Sequence, residues 1–137
     1  MDQDASNIVD TMYRHDAFSQ WLGIEREEVK PGYCRLRMTI RKEMTNGFGI
    51  AHGGIAYSLA DSALAFASNG HGRQALSIQT SISHTLALEE GAELIAETRE
   101  LHLTRATGLY DVLLTSGTGE EVAHFRGTVY RTGKEWT

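Results

Sequence analysis

Gly54-Ile55-Ala56-Tyr57-Ser58-Leu59-Ala60-Asp61-Ser62-Ala63-Leu64-Ala65-Phe66-Ala67-Ser68-Asn69 is the stretch on which the fold turns. Ile55, Ala56, Leu59, Ala60, Ala63, Leu64, Ala65, Phe66 and Ala67 leave a helix of residues 54–69 almost no polar side. A helix that is apolar nearly all round has to be buried, so this one is expected at the centre of the molecule. The flanking segments follow a different period. Residues 32–42 alternate, with Cys34, Leu36, Met38 and Ile40 on one face and Tyr33, Arg35, Arg37, Thr39 and Arg41 on the other, as in a half-buried strand. After the helix, Leu76, Ile78, Thr80, Ile82, His84 and Leu86 are assigned to one face of a second strand. Further strands are expected over residues 92–105, 107–117 and 121–132. Glu89-Glu90-Gly91 and Gly117-Thr118-Gly119-Glu120 supply turn material, and short connections between long strands imply antiparallel pairing.

Upstream, residues 6–19 read as a helix, with Ser6 as N-cap and Ile8, Val9, Met12 and Tyr13 at helical spacing. Pro31, the only proline, separates this opening from the first long strand. One buried helix wrapped by a long antiparallel sheet is an α+β layout. A chain of 137 residues is expected to form one domain, 1–137. A net charge of −5 argues against nucleic acid, although a few local Arg or Lys residues can still hold a nucleotide. The lone Cys34 cannot form an internal disulfide. The opening Met1-Asp2-Gln3-Asp4 is acidic where a leader would be basic, and no apolar run approaches ~20 residues. A cytoplasmic protein without a membrane or nucleic-acid partner is expected.

Chemistry concentrates in Asn46-Gly47-Phe48-Gly49-Ile50-Ala51-His52-Gly53-Gly54, which runs into the central helix. Glycines at a helix start expose backbone N–H groups at its electropositive end, which suits a phosphate or a developing oxyanion. Equally, Gly53 and Gly54 can simply permit a tight turn. Asp61 is the only acidic or basic side chain between His52 and His71. Either it meets solvent at the helix's one wet edge, or it faces a cleft as nucleophile or general base. Gly53 and Asp61 lie eight residues apart, ~12 Å along one helix, too far to act on one carbonyl. Two antiparallel copies related by a two-fold axis can supply one group each, which places the site at a dimer interface.

The six histidines, His15, His52, His71, His84, His102 and His124, offer no short-spaced ligand pair, so no metal is expected. His84 and His102 read as packing or interface residues. Cys34, on an apolar strand face, reads as inert. Gly117-Thr118-Gly119 joins two strands and is no dinucleotide fingerprint.

Asn46-Gly47, His52-Gly53-Gly54 and Leu59-Ala60-Asp61-Ser62 resemble the hotdog-fold thioesterases, and within them the phenylacetic-acid-degradation branch. Asp16-Ala17, Leu22-Gly23-Ile24, Thr107-Gly108-Leu109-Tyr110-Asp111-Val112 and Phe125-Arg126-Gly127 extend the likeness over nearly the whole chain. The resemblance implies a sheet of five or six antiparallel strands around the helix, with subunits joined edge to edge and dimers paired into a homotetramer. It implies hydrolysis of acyl- or aryl-CoA thioesters, with hydroxylated phenylacetyl-CoA as typical substrate and no cofactor, CoA being part of the substrate. By position, Gly53 and Gly54 would offer N–H groups to the thioester oxygen, and Asp61 of the facing subunit would attack or activate water. Asn46 would orient the carbonyl or water, His52 would support the loop, and Ser62 would hold water or the carboxylate. Arg105, Thr107 and Gly108, with Arg126 and Gly127, are the implied CoA contacts, unless the two arginines are solvated strand ends. Phe48, His84 and Tyr57 would line the acyl pocket. Phe48 and His84 depart from the branch's pattern, as does Ala87 in place of a proline. A non-catalytic acyl-CoA-binding module and a hotdog enoyl-CoA hydratase or dehydratase using His52 are the alternatives. Asp61 and the absence of a spare basic segment argue against the first, and the surrounding pattern argues against the second.

Overall fold

The computed structural model describes residues 4–137; the acidic opening at Met1–Gln3 lies outside the described residues. The central helix, α3, runs from Gly53 to Asn69, after α1 (Ala5–Arg14) and α2 (Ala17–Leu22). Six strands follow the chain as β1 (Glu25–Lys30), β2 (Tyr33–Thr39), β3 (Arg73–His84), β4 (Glu93–Leu103), β5 (Thr107–Ser116) and β6 (Glu121–Glu135). They form one antiparallel sheet in the order β1-β2-β4-β5-β6-β3. The sheet's inner face carries Cys34, Leu36, Met38, Ala96, Val112, Leu114, Phe125 and Val129, all buried, around the buried Leu59, Ala63, Leu64 and Phe66 of α3. Ile8 and Val9 of α1 are fully buried as well. The all-round apolar helix is the centre of the core, as its composition demands.

Three local expectations are corrected. Residues 6–19 are two helices: α1 ends at the cap His15, and Asp16 caps α2 by accepting the Ser19 N–H at 2.9 Å. Asp4, rather than Ser6, caps α1 through the Asn7 N–H. The charge-rich Glu25–Lys30 is a strand that no apolar period announces. It pairs with β2 at the sheet edge, where Glu27 bridges Arg35 and Arg37, and Pro31-Gly32 forms the tight turn between the two strands. Gly32 takes φ +77 there, a conformation glycine adopts without steric cost. Finally, β3 does not keep one face. A bulge between Ser77 and Gln79 shifts its phase, so Leu76 lies opposite Tyr130 on the outer face while Thr80, Ile82 and His84 lie opposite Gly127, Phe125 and Ala123 on the inner one. A single extra residue in a period-two element reverses every side chain beyond it.

β3 is the sheet's second edge, and its exposed run includes Leu76 at 66% and Ile78 at 63%. Among the described residues, no helix is long and apolar enough to cross a membrane.

Candidate active site

His52 caps α3. Its Nδ1 accepts the Gly54 N–H at 2.9 Å, which leaves a neutral His52 carrying its proton on Nε2. The Gly54 N–H is thus already used inside the chain. The Gly53 N–H has no acceptor among the described residues and stands exposed at the electropositive helix end. The loop before it is shaped by Asn46, whose Oδ1 accepts the Phe48 N–H at 2.9 Å and whose backbone bonds Ile50 and Gly49. That leaves the Asn46 amide Nδ2 as the group able to donate outward. The Ala51 N–H donates to the Leu88 carbonyl at 2.7 Å and the His52 N–H to the Met44 carbonyl at 2.8 Å, fixing the segment before the helix to the β3–β4 connection and to the short turn at Lys42–Met44. His84 arrives from the end of β3: a Cβ built on Gly53 would lie 3.4 Å from its Nε2. His52, Gly53 and His84 share the lining of a small recess with Leu86, Leu88 and Val122.

Asp61 is half-buried on the one incompletely covered stripe of α3, with Tyr57 and Ala65 one turn to either side. Burial pushes its carboxyl above the ordinary carboxylate range, and the nearby negative charge of Asp16 adds to the rise. No described donor bonds the Asp61 carboxylate. Its neighbour Ser62 is buried and joined to Ser19, Oγ to Oγ at 2.7 Å, while Ser19 Oγ donates to Asp16 Oδ2 at 2.6 Å. The Ser62 hydroxyl therefore fastens α2 to α3. Asp16 and Ser19 are the residues that sequence reasoning missed. A helix drawn through 6–19 makes Asp16 an interior position, although an Asp at position 16 and a Gly at position 23 bracket a short helix.

The remaining candidates separate. Tyr57 donates to or accepts from Thr80 Oγ1 at 2.5 Å and meets the Phe125 ring edge-on, so its ring is fixed between helix and sheet. Phe48 stands out at 90% exposure on the loop. Arg105 and Thr107 lie in the β4–β5 hairpin, where the Thr107 and Thr104 hydroxyls bond at 2.7 Å. Buried Gly108 lies inside that hairpin, with Tyr110 and Val129 where a Cβ would be. Arg126 points to the outer face, held by both oxygens of Asp111 at 2.6 and 3.1 Å. Gly127 faces inward, where a Cβ would come 2.6 Å from Leu64 Cδ2, so the glycine lets α3 approach the sheet. Both residues have a structural reason, and neither joins Arg105. A groove of about 940 Å³ crosses the outer face over Glu97, Asp111, His124 and Arg126. It is larger than the recess at Gly53, but the helix tip and Asp61 belong to the other side of the sheet. Cys34 is buried and donates to the Ala63 carbonyl at 3.3 Å, and burial pushes its thiol up to about 12.

The family model of the thioesterase superfamily matches residues 48–123. The acyl-coenzyme A thioesterase PaaI of Escherichia coli is 34% identical over 122 residues, which cover 89% of this chain and 87% of that protein. The structure of the E. coli PaaI protein from the phenylacetic acid degradation operon matches with a TM-score of 0.94, covering 97% of this chain and 96% of that one. A mutant structure of the phenylacetic acid degradation protein PaaI from Thermus thermophilus is 37% identical, with a TM-score of 0.82, over 85% of this chain and all (100%) of that one. A hypothetical thioesterase from Streptococcus pneumoniae, solved with coenzyme A, is 25% identical with a TM-score of 0.86 and covers 92% of this chain and 98% of that one.

Proposed function

The chain belongs to the thioesterase superfamily, and on that premise we propose that it hydrolyses acyl-CoA thioesters, aryl-acetyl esters foremost, with one site shared between two protomers. The observation that carries this reading is Asp61: a half-buried carboxylate without a hydrogen-bond donor among the described residues, on the same helix whose tip offers the Gly53 N–H, which has no acceptor among them either.

The two groups lie on one continuous helix, eight residues and ~12 Å apart, so the Gly53 and Asp61 of one protomer belong to two different sites. The exposed apolar edge of β3 supports an isologous partner, because antiparallel pairing of two such edges brings one helix tip toward the other protomer's Asp61. In that arrangement Gly53 polarises the thioester carbonyl. Asp61 attacks the carbonyl carbon, or takes a proton from the water that does. The C–S bond then breaks, and CoA leaves as the thiol once it has gained a proton; where Asp61 itself attacked, water opens the resulting anhydride to give the free acid and restore the carboxylate. Asn46 Nδ2 orients the carbonyl or the water, and His52 holds the loop by capping the helix. Arg105, Thr107 and Gly108 serve the CoA end, while Phe48, Tyr57 and His84 shape the acyl pocket. The E. coli relative's name and operon support a phenylacetyl-type acid as product, and the coenzyme A in the S. pneumoniae structure supports the thiol half. The cap bond also speaks against a dehydratase reading, since His52 Nδ1 is occupied and Nε2 carries the proton.

Asp61→Asn tests the reading. Turnover of phenylacetyl-CoA, followed as thiol release, should fall by roughly 10²–10⁴-fold, while the circular dichroism spectrum is retained and the melting midpoint is no lower than that of the wild type. Hydrolysis at the unaltered rate would sink it.

A further inference from the structure

His84 is the last residue of β3, and the backbone on both sides of it is fixed. It lies opposite Ala123 of β6, and the Thr85 and Leu86 N–H groups that follow donate to the Val122 carbonyl at 2.8 and 3.2 Å. From there its imidazole reaches the tip of α3 in the same protomer. A Cβ built on Gly53 would lie 3.4 Å from His84 Nε2 and 3.5 Å from Cε1. Because position 53 carries no side chain, the edge of the ring stands beside the backbone that presents the exposed Gly53 N–H.

Other histidines near polar groups are engaged. His52 accepts the Gly54 N–H, His71 pairs with Glu100 and His124 with Glu121, whereas neither ring nitrogen of His84 has a partner among the described residues. The His84 ring is open to solvent on one side and on the other helps to close a recess walled by Ile40, Leu86, Leu88 and Val122. Beside apolar walls a hydrogen bond to developing charge is stronger than it is in water. Imidazole carries a proton on Nε2 as the imidazolium and in one of its two neutral tautomers, so this edge can donate.

We propose that His84 is a catalytic residue whose Nε2–H is a second donor to the thioester oxygen, beside the Gly53 N–H. The role rests on the reading of CoA esters as substrates and goes beyond lining the acyl pocket. His84 departs from the branch's pattern, so the resemblance carries no such role over to it. An oxygen about 3 Å from the Gly53 nitrogen, on the His84 side, also comes within hydrogen-bond reach of Nε2. When Asp61 of the other protomer, or its water, adds to the carbonyl carbon, the C=O electron pair moves onto that oxygen. Two fixed donors then share the charge. The pair returns as the C–S bond breaks, and the imidazole keeps its proton throughout.

Two substitutions read the role. His84→Phe keeps a ring at the recess and removes the donor, while His84→Gln sets an amide N–H near the place of Nε2. With phenylacetyl-CoA, kcat should fall roughly 10²-fold in His84→Phe and KM should change much less, as for a contact that tightens in the transition state. His84→Gln should recover most of that loss. The carbonyl itself supplies a second readout, as the infrared band of the thioester bound in an Asp61→Asn background, where hydrolysis is slowed. The band should lie at lower frequency than in the free ester, move part of the way back when His84→Phe is added, and stay low with His84→Gln. A kcat that His84→Phe leaves unchanged, or a carbonyl band that it does not move, would overturn the proposal. A wild-type protein that hydrolyses no CoA ester would remove the catalytic reading and this role with it, a failure visible before any His84 variant is made.

Discussion

Asp61 and Asp16 come from different helices and share one electrostatic neighbourhood, which makes the acid limb of the pH profile a measurable consequence. In the proposed mechanism Asp61 works as the anion, so activity should vanish as pH falls through its raised pKa. Asp16→Asn keeps a good N-cap for α2 and removes the charge. The Asp61 anion then becomes easier to form, and the acid limb of kcat/KM should move to lower pH. A limb that stays in place would separate the two residues. The same shift has a stability sign. A carboxyl raised in the folded state contributes stability that is complete below its unfolded pKa and lost as pH rises through its folded one. Asp61→Asn should therefore gain in melting midpoint over the wild type as pH rises toward neutrality. At this scale the sequence showed Asp61 plainly, because one acid on an apolar helix stands out. It could not show that Gly54 spends its N–H on His52 while Gly53 does not, a distinction made by the rotamer of one imidazole.

The elements were legible in proportion to how much of their pattern is imposed by burial. β2, β5 and most of β6 alternate because one face meets α3, and α3 announces itself by having no face to spare. β1 is charged along its length and owes its strand to pairing with β2 and to the Glu27 bridges, so apolar period could not find it. The β3 bulge is a register event that alternation alone conceals. Gly127 belongs to this scale too. Gly127→Ala should cost about 1–3 kcal/mol in urea denaturation through overpacking against Leu64. In a Leu64→Ala background, where the obstructing methyl is gone, the added cost should shrink. Equal costs in both backgrounds would show that the helix–sheet approach does not depend on this glycine.

At the scale of the whole molecule, a shared site predicts complementation. Gly53 is the first residue of α3, where proline is well tolerated and removes the N–H, and His52 already has the extended backbone that precedes a proline. Gly53→Pro should stay folded and lose roughly 10²–10³-fold in turnover. Mixed with Asp61→Asn by co-expression, it should regain about a quarter of wild-type activity, since half the dimers are mixed and one of their two sites is whole. No recovery would place both groups in a single protomer's site.

By itself the sequence determined the buried helix, most of the sheet around it, the isolated carboxylate and the glycine-rich tip, because each follows from local periodicity or from one residue type out of keeping with its neighbours. Only the tertiary structure decided the strand order, the β3 bulge, and the split of the first helix that brings Asp16 into the electrostatic neighbourhood of Asp61. Those depend on which distant segments pack together, and no local pattern records that choice.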